Sequence, residues 1–339
     1  MLKEESTILI TGCAGFIGSA LCKKFLKEGY KVHGIDNISN YYDIKLKKDR
    51  LKDISEFVSR YNYDWFFNEI SIEDRNSCEN LFVKIKPQIV INLAAQAGVR
   101  YSISNPSAYF KTNLEGFFNI LELCRLNNVE HLVYASSSSI YGSSIDYPFT
   151  EDQNANEPLS FYASTKKSNE MMAHSYSNIY RMPITGLRFF TVYGPWGRPD
   201  MAPMIFAKNI ISQKPIPIFN NGQMSRDFTY VDDIVDGTYL CSLKAPSENN
   251  NESDGIIEVP HKIFNIGYGN SVNLLEFINL LEDAFKVKAI KKFEPMQIGD
   301  VVKTYSNVHK LKDWINFQPK VSIYEGVRDF ANWYLDYYS

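Results

Sequence analysis

Cysteine is scarce in this 339-residue chain, and the five present (Cys13, Cys22, Cys78, Cys124 and Cys241) form no C-x-x-C pair and no cluster with histidine. That spacing speaks against a zinc module and against a disulfide framework, and leaves buried thiols as the expectation. Histidine is as sparse: residues 33, 131, 174, 261 and 309 lie apart without ligand spacing, so no metal is expected. Neither sign of charge is in excess, the formal net charge being -3, and neither nucleic acid nor an acidic membrane surface suggests itself as a partner. No apolar run approaches the roughly 18 residues that span a bilayer. Met1-Leu2-Lys3-Glu4-Glu5 has no signal-peptide character, so the expected location is cytoplasmic. Internal repeats are missing too.

What is present is a core. With 45% hydrophobic residues the chain can fill one large or two medium domains. Strand-like runs alternate with helix-length amphipathic stretches: Ile89 to Leu93, Ala108 to Leu126, His131 to Ser136, Phe161 to Tyr180, and Pro183 to Phe190. Such alternation predicts βαβ units and an α/β fold with a Rossmann-type doubly wound parallel sheet. After Phe190 the texture changes, with Pro195, Gly197, Pro199, Pro203, Pro215 and Pro217 in quick succession. This predicts a smaller C-terminal α/β domain made of residues 190–229 and 265–339. Residues 1–189 are expected to form the first domain, and 230–264 to return to it. The polar, asparagine-rich stretch from Ser247 to Asp254 reads as a surface loop. Aromatic residues at Trp333, Tyr334, Tyr337 and Tyr338 fit core packing.

The N-terminus holds the first chemical signal. Thr7 to Thr11 is a short apolar strand, and Gly12-Cys13-Ala14-Gly15-Phe16-Ile17-Gly18 follows at once, opening a helix with Leu21, Phe25 and Leu26 on one side. The G-x-x-G-x-x-G spacing allows a tight turn, close approach of backbone to a pyrophosphate, and close helix packing. The helix N-terminus supplies amides for phosphate. Lys31 to Asp36 reads as a second strand ending in an acid where a carboxylate can accept both ribose hydroxyls. Asp36 would repel a 2′-phosphate and no arginine stands next to it in sequence, which favours NAD over NADP. A glycine turn without a ligand is the competing reading.

The second signal is Tyr162-Ala163-Ser164-Thr165-Lys166. On a helix, positions four apart share a face, so Tyr162 and Lys166 can enter one cleft. An ammonium beside a phenol favours the phenolate and lowers its pKa toward that of a general base. In isolation the same spacing describes many solvated helix faces.

Three longer segments carry a family resemblance: Asp36-Asn37-Ile38-Ser39-Asn40-Tyr41-Tyr42-Asp43, Gln96-Ala97-Gly98-Val99-Arg100-Tyr101-Ser102, and Arg188-Phe189-Phe190-Thr191-Val192-Tyr193-Gly194-Pro195-Trp196-Gly197-Arg198-Pro199-Asp200-Met201. With the glycine turn and the Ser136 to Gly142 run, the chain resembles, over essentially its whole length, an extended short-chain dehydrogenase/reductase of the nucleotide-sugar epimerase group, the UDP-glucuronate 4-epimerases in particular. Two departures stand out. Glu69 takes the place of the usual aspartate against adenine, and Ile298 replaces the proline before Gly299-Asp300.

That resemblance implies NAD held by Gly12, Gly15, Phe16, Ile17, Gly18, Asp36, Asn37, Glu69, Ile70, Leu93, Ala94, Ala95 and Lys166. It implies catalysis by Ser137, Tyr162 and Lys166, through a transient 4-keto sugar that turns over and takes hydride back on its other face. Related decarboxylases carry a glutamate, and the dehydratases an Asp-Glu pair, where this chain has Ser138 and Ser139. Neither serine can be a base at C5, and their hydroxyls, with Thr191, can instead bind a uronate carboxylate. Turn-forming hydroxyls at a strand end are the alternative. At the UDP end the resemblance implies Arg226 and Arg198 at the phosphates or sugar, Asp300 at the uridine ribose with Gln297 beside it, and Phe219 against uracil. Arg198 could equally anchor a surface loop, Phe219 could be plain core, and Arg100 is tempting as a carboxylate partner. A homodimer through a four-helix bundle is implied, with Phe110, Leu114, Phe117 and Phe118 on its apolar face. The expected activity is UDP-glucuronate to UDP-galacturonate. The alternatives are a 4-epimerase of UDP-glucose or UDP-N-acetylglucosamine (or its uronate), a UDP-glucuronate decarboxylase, or a non-catalytic NAD-binding protein.

Overall fold

Short apolar runs that end in a turn residue or a carboxylate build the centre of the molecule. The computed structural model describes residues 6–247 and 258–338; Met1 to Glu5 and the asparagine-rich stretch beyond Ser247 lie outside them. Thr7–Thr11 (β1) and Lys31–Asp36 (β2) are each buried except for their first residue. Strands buried on both faces belong in a parallel sheet covered by helices, where no polar alternation is needed. Trp65–Glu69 (β3), Ile89–Asn92 (β4), His131–Ser137 (β5) and Ile184–Phe189 (β6) follow. The chain then makes short strands, Thr191–Tyr193 (β7), Pro215–Ile218 (β8), Ser225–Arg226 (β9) and Phe228–Tyr230 (β10), and returns as His261–Ile266 (β11) before Val272–Asn273 (β12) and Ile290–Phe293 (β13).

The main sheet has seven strands in the order β11-β6-β5-β4-β1-β2-β3, and every neighbouring pair is parallel. The order reverses between β1 and β4, which opens a crevice at the carboxyl ends of the strands. β7 with β10, β9 with β12 and β8 with β13 form three small two-stranded sheets.

Helices cover both faces: Phe16–Lys27 (α1), Ile44–Tyr61 (α2), Arg75–Ile85 (α3), Tyr101–Ser104 (α4), Pro106–Tyr109 (α5), Phe117–Leu126 (α6) and Phe161–Tyr180 (α7), then Ala202–Ile211 (α8), Val231–Ser242 (α9), Leu274–Phe285 (α10), His309–Ile315 (α11) and Ile323–Tyr338 (α12). The pleat of β1 sorts its side chains between two cores. Ile8 and Ile10 pack with Phe25 of α1 and Ile234 of α9, in a cluster that continues through Phe277 of α10 to Phe330 of α12. Leu9 turns the other way, onto Phe82 of α3, Ile120 of α6 and Ala173 of α7. Fully burying one such side chain stabilises by about 1.5–3 kcal/mol.

The structure departs from the sequence reading in two places. The helix expected over 108–126 is interrupted, because Phe110–Gly116 winds as a π-helix between α5 and α6. Phe117, expected on an outward apolar face, points inward against Tyr134, with ring centroids 5.2 Å apart, while Phe110 and Phe118 are exposed. The five cysteines are buried and free. Among the described residues, no helix is long and apolar enough to cross a membrane.

Candidate active site

The glycine turn is built by contact as much as by conformation. Gly12 sits at φ +71°, where a side chain would be strained, and a Cβ there would meet the backbone of Ala94 at 2.8 Å. A Cβ on Gly18 would lie 2.1 Å from the Gly12 carbonyl oxygen, so α1 can rest on the turn only with glycine at that position. Gly15 is the N-cap of α1 and no side chain caps the helix, so its first amides are left for an anion.

Around this turn a cavity of about 360 Å³ opens at the carboxyl ends of β1, β2, β4, β5 and β6. Its walls include Gly12, Gly15, Phe16, Ile17 and Gly18, then Asp36, Asn37, Ile70, Leu93, Ala94 and Ala95, then Ser137, Ser138, Ser139, Tyr162, Lys166, Thr191 and Arg198. Buried Asp36 accepts the Ala14 N–H at 3.1 Å and the Ile38 N–H at 2.9 Å. Burial raises its pKa, while Lys47, these two amides and Arg50 pull the other way. Each carboxylate oxygen keeps a lone pair for a hydroxyl. A bare helix terminus, a cradle that any Cβ would fill, and a carboxylate at the end of β2 fit a dinucleotide.

At the far wall, Ser160 caps α7 by accepting the Ala163 N–H at 3.1 Å, and this fixes the turn that carries Tyr162. Lys166 is buried and donates to the Ala135 carbonyl at 2.8 Å. Burial lowers its pKa to about 8. Burial raises the pKa of the Tyr162 phenol, and the groups that oppose this are the Ser137 hydroxyl and the Arg198 charge. Ser137 in turn accepts the Ser139 N–H at 3.2 Å, which turns the chain sharply at the end of β5.

Of the residues expected at a UDP end, Arg198 lines that cavity, whereas Phe219, Arg226, Gln297 and Asp300 lie outside its walls. Arg100 pairs with Asp300 at 2.9 Å and stacks over Phe219, 4.5 Å from the ring centroid. Arg226 donates to the carbonyls of Ser225 and Val302, at 2.9 and 3.2 Å, and Asp300 and Arg100 both act on its charge. Asp300 donates its N–H to the Gln297 carbonyl, at 3.3 Å. Glu69 is exposed at the end of β3, beside Asp36 in register and outside the cavity walls.

Several neighbours went unremarked in the sequence. The π-helix turns Asn113 onto the active-site helix, where it donates to Thr165 Oγ1 at 3.0 Å and to the Gln96 carbonyl at 3.0 Å. Asn169 donates back to the Asn113 carbonyl at 2.6 Å. Arg198 is held by Asp200, which also accepts from Tyr41 at 3.1 Å. Lys47 and Ser39 line the cavity as well. Only the Asp36 to Asp43 stretch hinted at these, through its paired tyrosines.

Comparison with known proteins points one way. The profile of the NAD dependent epimerase/dehydratase family matches residues 8–267. Protein CapI of Staphylococcus aureus is 48% identical over 336 residues, which are 98% of this chain and 99% of that protein. A probable UDP-glucuronate 4-epimerase of Rhizobium meliloti (strain 1021) is 44% identical over 334 residues, 96% of each chain. Among solved structures, UDP-glucuronic acid 4-epimerase from Bacillus cereus, in complex with UDP-glucuronic acid and NAD, superposes with a TM-score of 0.86 at 32% identity, covering 98% of this chain and 100% of that one.

Proposed function

The chain belongs to the NAD dependent epimerase/dehydratase family as an NAD-using epimerase of UDP-sugars, and from that premise we propose that its substrate is UDP-glucuronate and its product UDP-galacturonate. One observation carries the choice of sugar. Around Tyr162 the cavity offers the hydroxyls of Ser138, Ser139 and Thr191 and the cation of Arg198, and Asp36, at the end of β2, is the one carboxylate among the described residues in its walls. A sugar carboxylate therefore meets hydroxyl donors and the guanidinium of Arg198, whose charge Asp200 already partners from outside the walls.

When bound, NAD supplies reversible hydride transfer at C4 of the sugar. Tyr162 takes the C4 hydroxyl proton and later returns it, while Ser137 hydrogen-bonds the same oxygen. Lys166 exchanges its Ala135 carbonyl for the phenol and the nicotinamide ribose. Arg198, whose charge already acts on Tyr162, favours the ionised phenol. A 4-ketone is β to the C5 carboxylate, so loss of CO2 is the hazard of this reaction. Serines in place of acidic side chains at 138 and 139 leave no proton carrier at C5, and they hold the carboxylate by hydrogen bonds. Gly12, Gly15, Phe16, Ile17, Gly18, Asp36, Asn37, Ile70 and Leu93 to Ala95 hold the cofactor. Phe219, Arg226, Gln297 and Asp300 hold the uridine diphosphate once Arg100 moves off them.

Two further assignments accompany this reading. The dinucleotide half consists of residues 1–189 and 230–264, which is supported by β11 at the edge of the main sheet and by α9 packed against α1. Two copies pair through a four-helix bundle formed by the stretches around 108–126 and 161–180, where Phe110, Phe118, Met171 and Ile179 are exposed. Sedimentation as a single copy at micromolar concentration would overturn the pairing.

The deciding experiment incubates the purified protein with UDP-glucuronate, without added NAD, and reads the product by NMR. UDP-galacturonate with the carboxyl carbon retained supports the reading. A pentose product, a 4-keto-6-deoxy sugar, or turnover of UDP-glucose alone overturns it.

A further inference from the structure

Trp196 stands in a conformation that its own side chain resists. Its φ is +64°, in the left-handed region that a bulky residue keeps only where the surroundings hold it. Two grips do so. Arg50, on α2 and only 1% exposed, donates to the Trp196 carbonyl from Nε at 3.2 Å and from Nη2 at 2.7 Å, and Nη2 also reaches the Gly197 carbonyl at 3.3 Å. The indole lies against α12, its centroid 5.4 Å from that of Trp333 and 5.0 Å from that of Tyr337. Those two rings stack on each other, and the Tyr337 hydroxyl donates to Asp49 of α2, which closes the grip. Among the described residues the Trp333 indole N–H is buried without a partner, so this ring serves by packing and not by hydrogen bonding.

The held turn opens directly onto the cavity. Gly197 donates its N–H to the Gly194 carbonyl at 3.2 Å and Met201 to the Arg198 carbonyl at 3.1 Å, so Arg198 leaves the backbone between two tight turns. It lines the cavity together with Tyr162, Ser138, Ser139 and Thr191, whereas Trp196, Trp333 and Tyr337 do not. Asp200 accepts from Arg198 Nε at 3.1 Å and from Nη2 at 2.5 Å, which leaves Nη1 for a ligand. An arginine side chain is long and rotates at every carbon, so its far end is a specific donor only if the backbone it starts from is fixed. Nothing closer to the cavity fixes that start as firmly as the two grips on Trp196.

We propose that Trp196 is a positioning residue, clamped between Arg50 and the Trp333–Tyr337 stack so that Arg198 meets the sugar carboxylate, and that α12 thereby sets the preference for an acidic sugar. This rests on the reading of Arg198 given above and adds to it a part of the molecule that touches no substrate. The aromatic end of α12 is then more than core packing.

Calorimetry tests this without turnover, with UDP-glucuronate and UDP-glucose titrated into NAD-loaded Tyr162→Phe protein. Trp196→Gly accepts the same φ but removes the ring, Trp333→Ala removes the wall behind it, and Trp333→Phe keeps that wall without the orphan N–H. Each is made with Arg198 present and with Arg198→Ala. A misplaced charged donor corresponds to a drop of roughly tenfold in UDP-glucuronate affinity for Trp196→Gly and Trp333→Ala, with UDP-glucose changed by less than about threefold. Trp333→Phe stays close to the parent. On the Arg198→Ala background the same substitutions change UDP-glucuronate affinity by less than about twofold, because the group they act through is gone. Unchanged UDP-glucuronate binding overturns the proposal. So does an equal loss on both sugars, which assigns the rings to the fold, and so does a loss that persists without Arg198. If Trp196→Gly does not fold, the two Trp333 variants decide. Should Arg198→Ala itself spare UDP-glucuronate, the reading of Arg198 fails and the clamp has nothing to deliver, a different result from a clamp that does not act through it.

Discussion

Glu170 and Arg188 face each other through two hydrogen bonds, Nε to Oε1 at 2.8 Å and Nη2 to Oε2 at 2.9 Å, with both side chains almost fully buried. The pair joins the active-site helix to β6. Ser136, the residue before Ser137, donates to the same carboxylate at 2.7 Å, and Arg188 also donates to the Tyr141 hydroxyl at 2.9 Å. Burial works against the charged carboxylate, but Arg188 and Ser136 outweigh it and keep the Glu170 pKa below the ordinary value. Glu170 lies one turn beyond Lys166, so this ion pair sets the backbone on which both Ser137 and Lys166 stand.

Breaking that pair on one side should be expensive, because it leaves a buried guanidinium without its anion. Glu170→Gln is expected to lose about 3–5 kcal/mol of stability, read from urea unfolding. The double change Glu170→Leu with Arg188→Met should recover a good part of it, because the buried charges leave together. A loss below about 1 kcal/mol for the single variant would show that the pair does not hold β5, β6 and α7 in place.

Discrimination between sugars should lie with the hydroxyls near Tyr162. Replacing Ser138, Ser139 or Thr191 by Ala removes a donor to the uronate carboxylate and takes nothing from a neutral sugar. Each change should lower kcat/KM for UDP-glucuronate by roughly tenfold or more. Turnover of UDP-glucose, where measurable, should move by less than about threefold. Equal losses on both sugars would assign these hydroxyls to shaping the turn after β5.

How much of this was written locally along the chain? β1 with its glycine turn, β2 with Asp36, and α7 with Tyr162 and Lys166 were legible because each is a short pattern, an apolar run, a spacing of glycines, or two residues a helical turn apart. Trp65–Glu69 was not, since this edge strand is half exposed and its residues alternate poorly. The π-helix at Phe110–Gly116 has no local sign, because what sustains it is the bonding of Asn113 to Gln96 and Thr165, residues distant in sequence. Arg100 over Phe219 likewise depends on segments meeting in space. The sequence put Lys166 and Tyr162 on one helix, where both line the cavity, yet said nothing of the Ala135 carbonyl to which the ammonium donates.

Acid should weaken the fold through buried neutral histidines. His131 shares hydrogen bonds with the Ser242 carbonyl at 3.0 Å and Thr185 Oγ1 at 2.9 Å, and burial lowers its pKa to about 4. An unfolded histidine titrates near 6.5. Between those values the unfolded state binds the extra proton, so stability is complete above about pH 6.5 and is lost as the pH falls toward 4. One such histidine accounts for about 2 kcal/mol between pH 6.5 and 5, at 1.36 kcal/mol per unit. His131→Gln should be less stable than wild type at pH 7 and lose correspondingly less on going to pH 5, as measured by urea midpoints. An unchanged acid slope would place the proton uptake elsewhere; His33 and His261, both also lowered to about 4 by burial, are the next to substitute.

The phenol of Tyr162 should be protonated in the empty protein, because burial raises its pKa and Ser137 and Arg198 only partly counter that rise. The tyrosinate ultraviolet absorbance of wild type minus Tyr162→Phe should therefore be flat from pH 6 to 9 without nucleotide. On the proposed mechanism a bound nucleotide would change the balance, with Lys166 leaving the Ala135 carbonyl and turning its ammonium toward the phenol. With NAD bound, the difference band should appear at lower pH, and Lys166→Met should abolish that shift while the protein stays folded. Tyr162→Phe should retain NAD and lose turnover by about 10²- to 10⁴-fold, the usual scale for a general base. A tyrosinate band at neutral pH in the empty protein would mean that the ammonium already ionises the phenol at rest. A Tyr162→Phe variant with near-normal turnover would remove the residue from the proton path altogether.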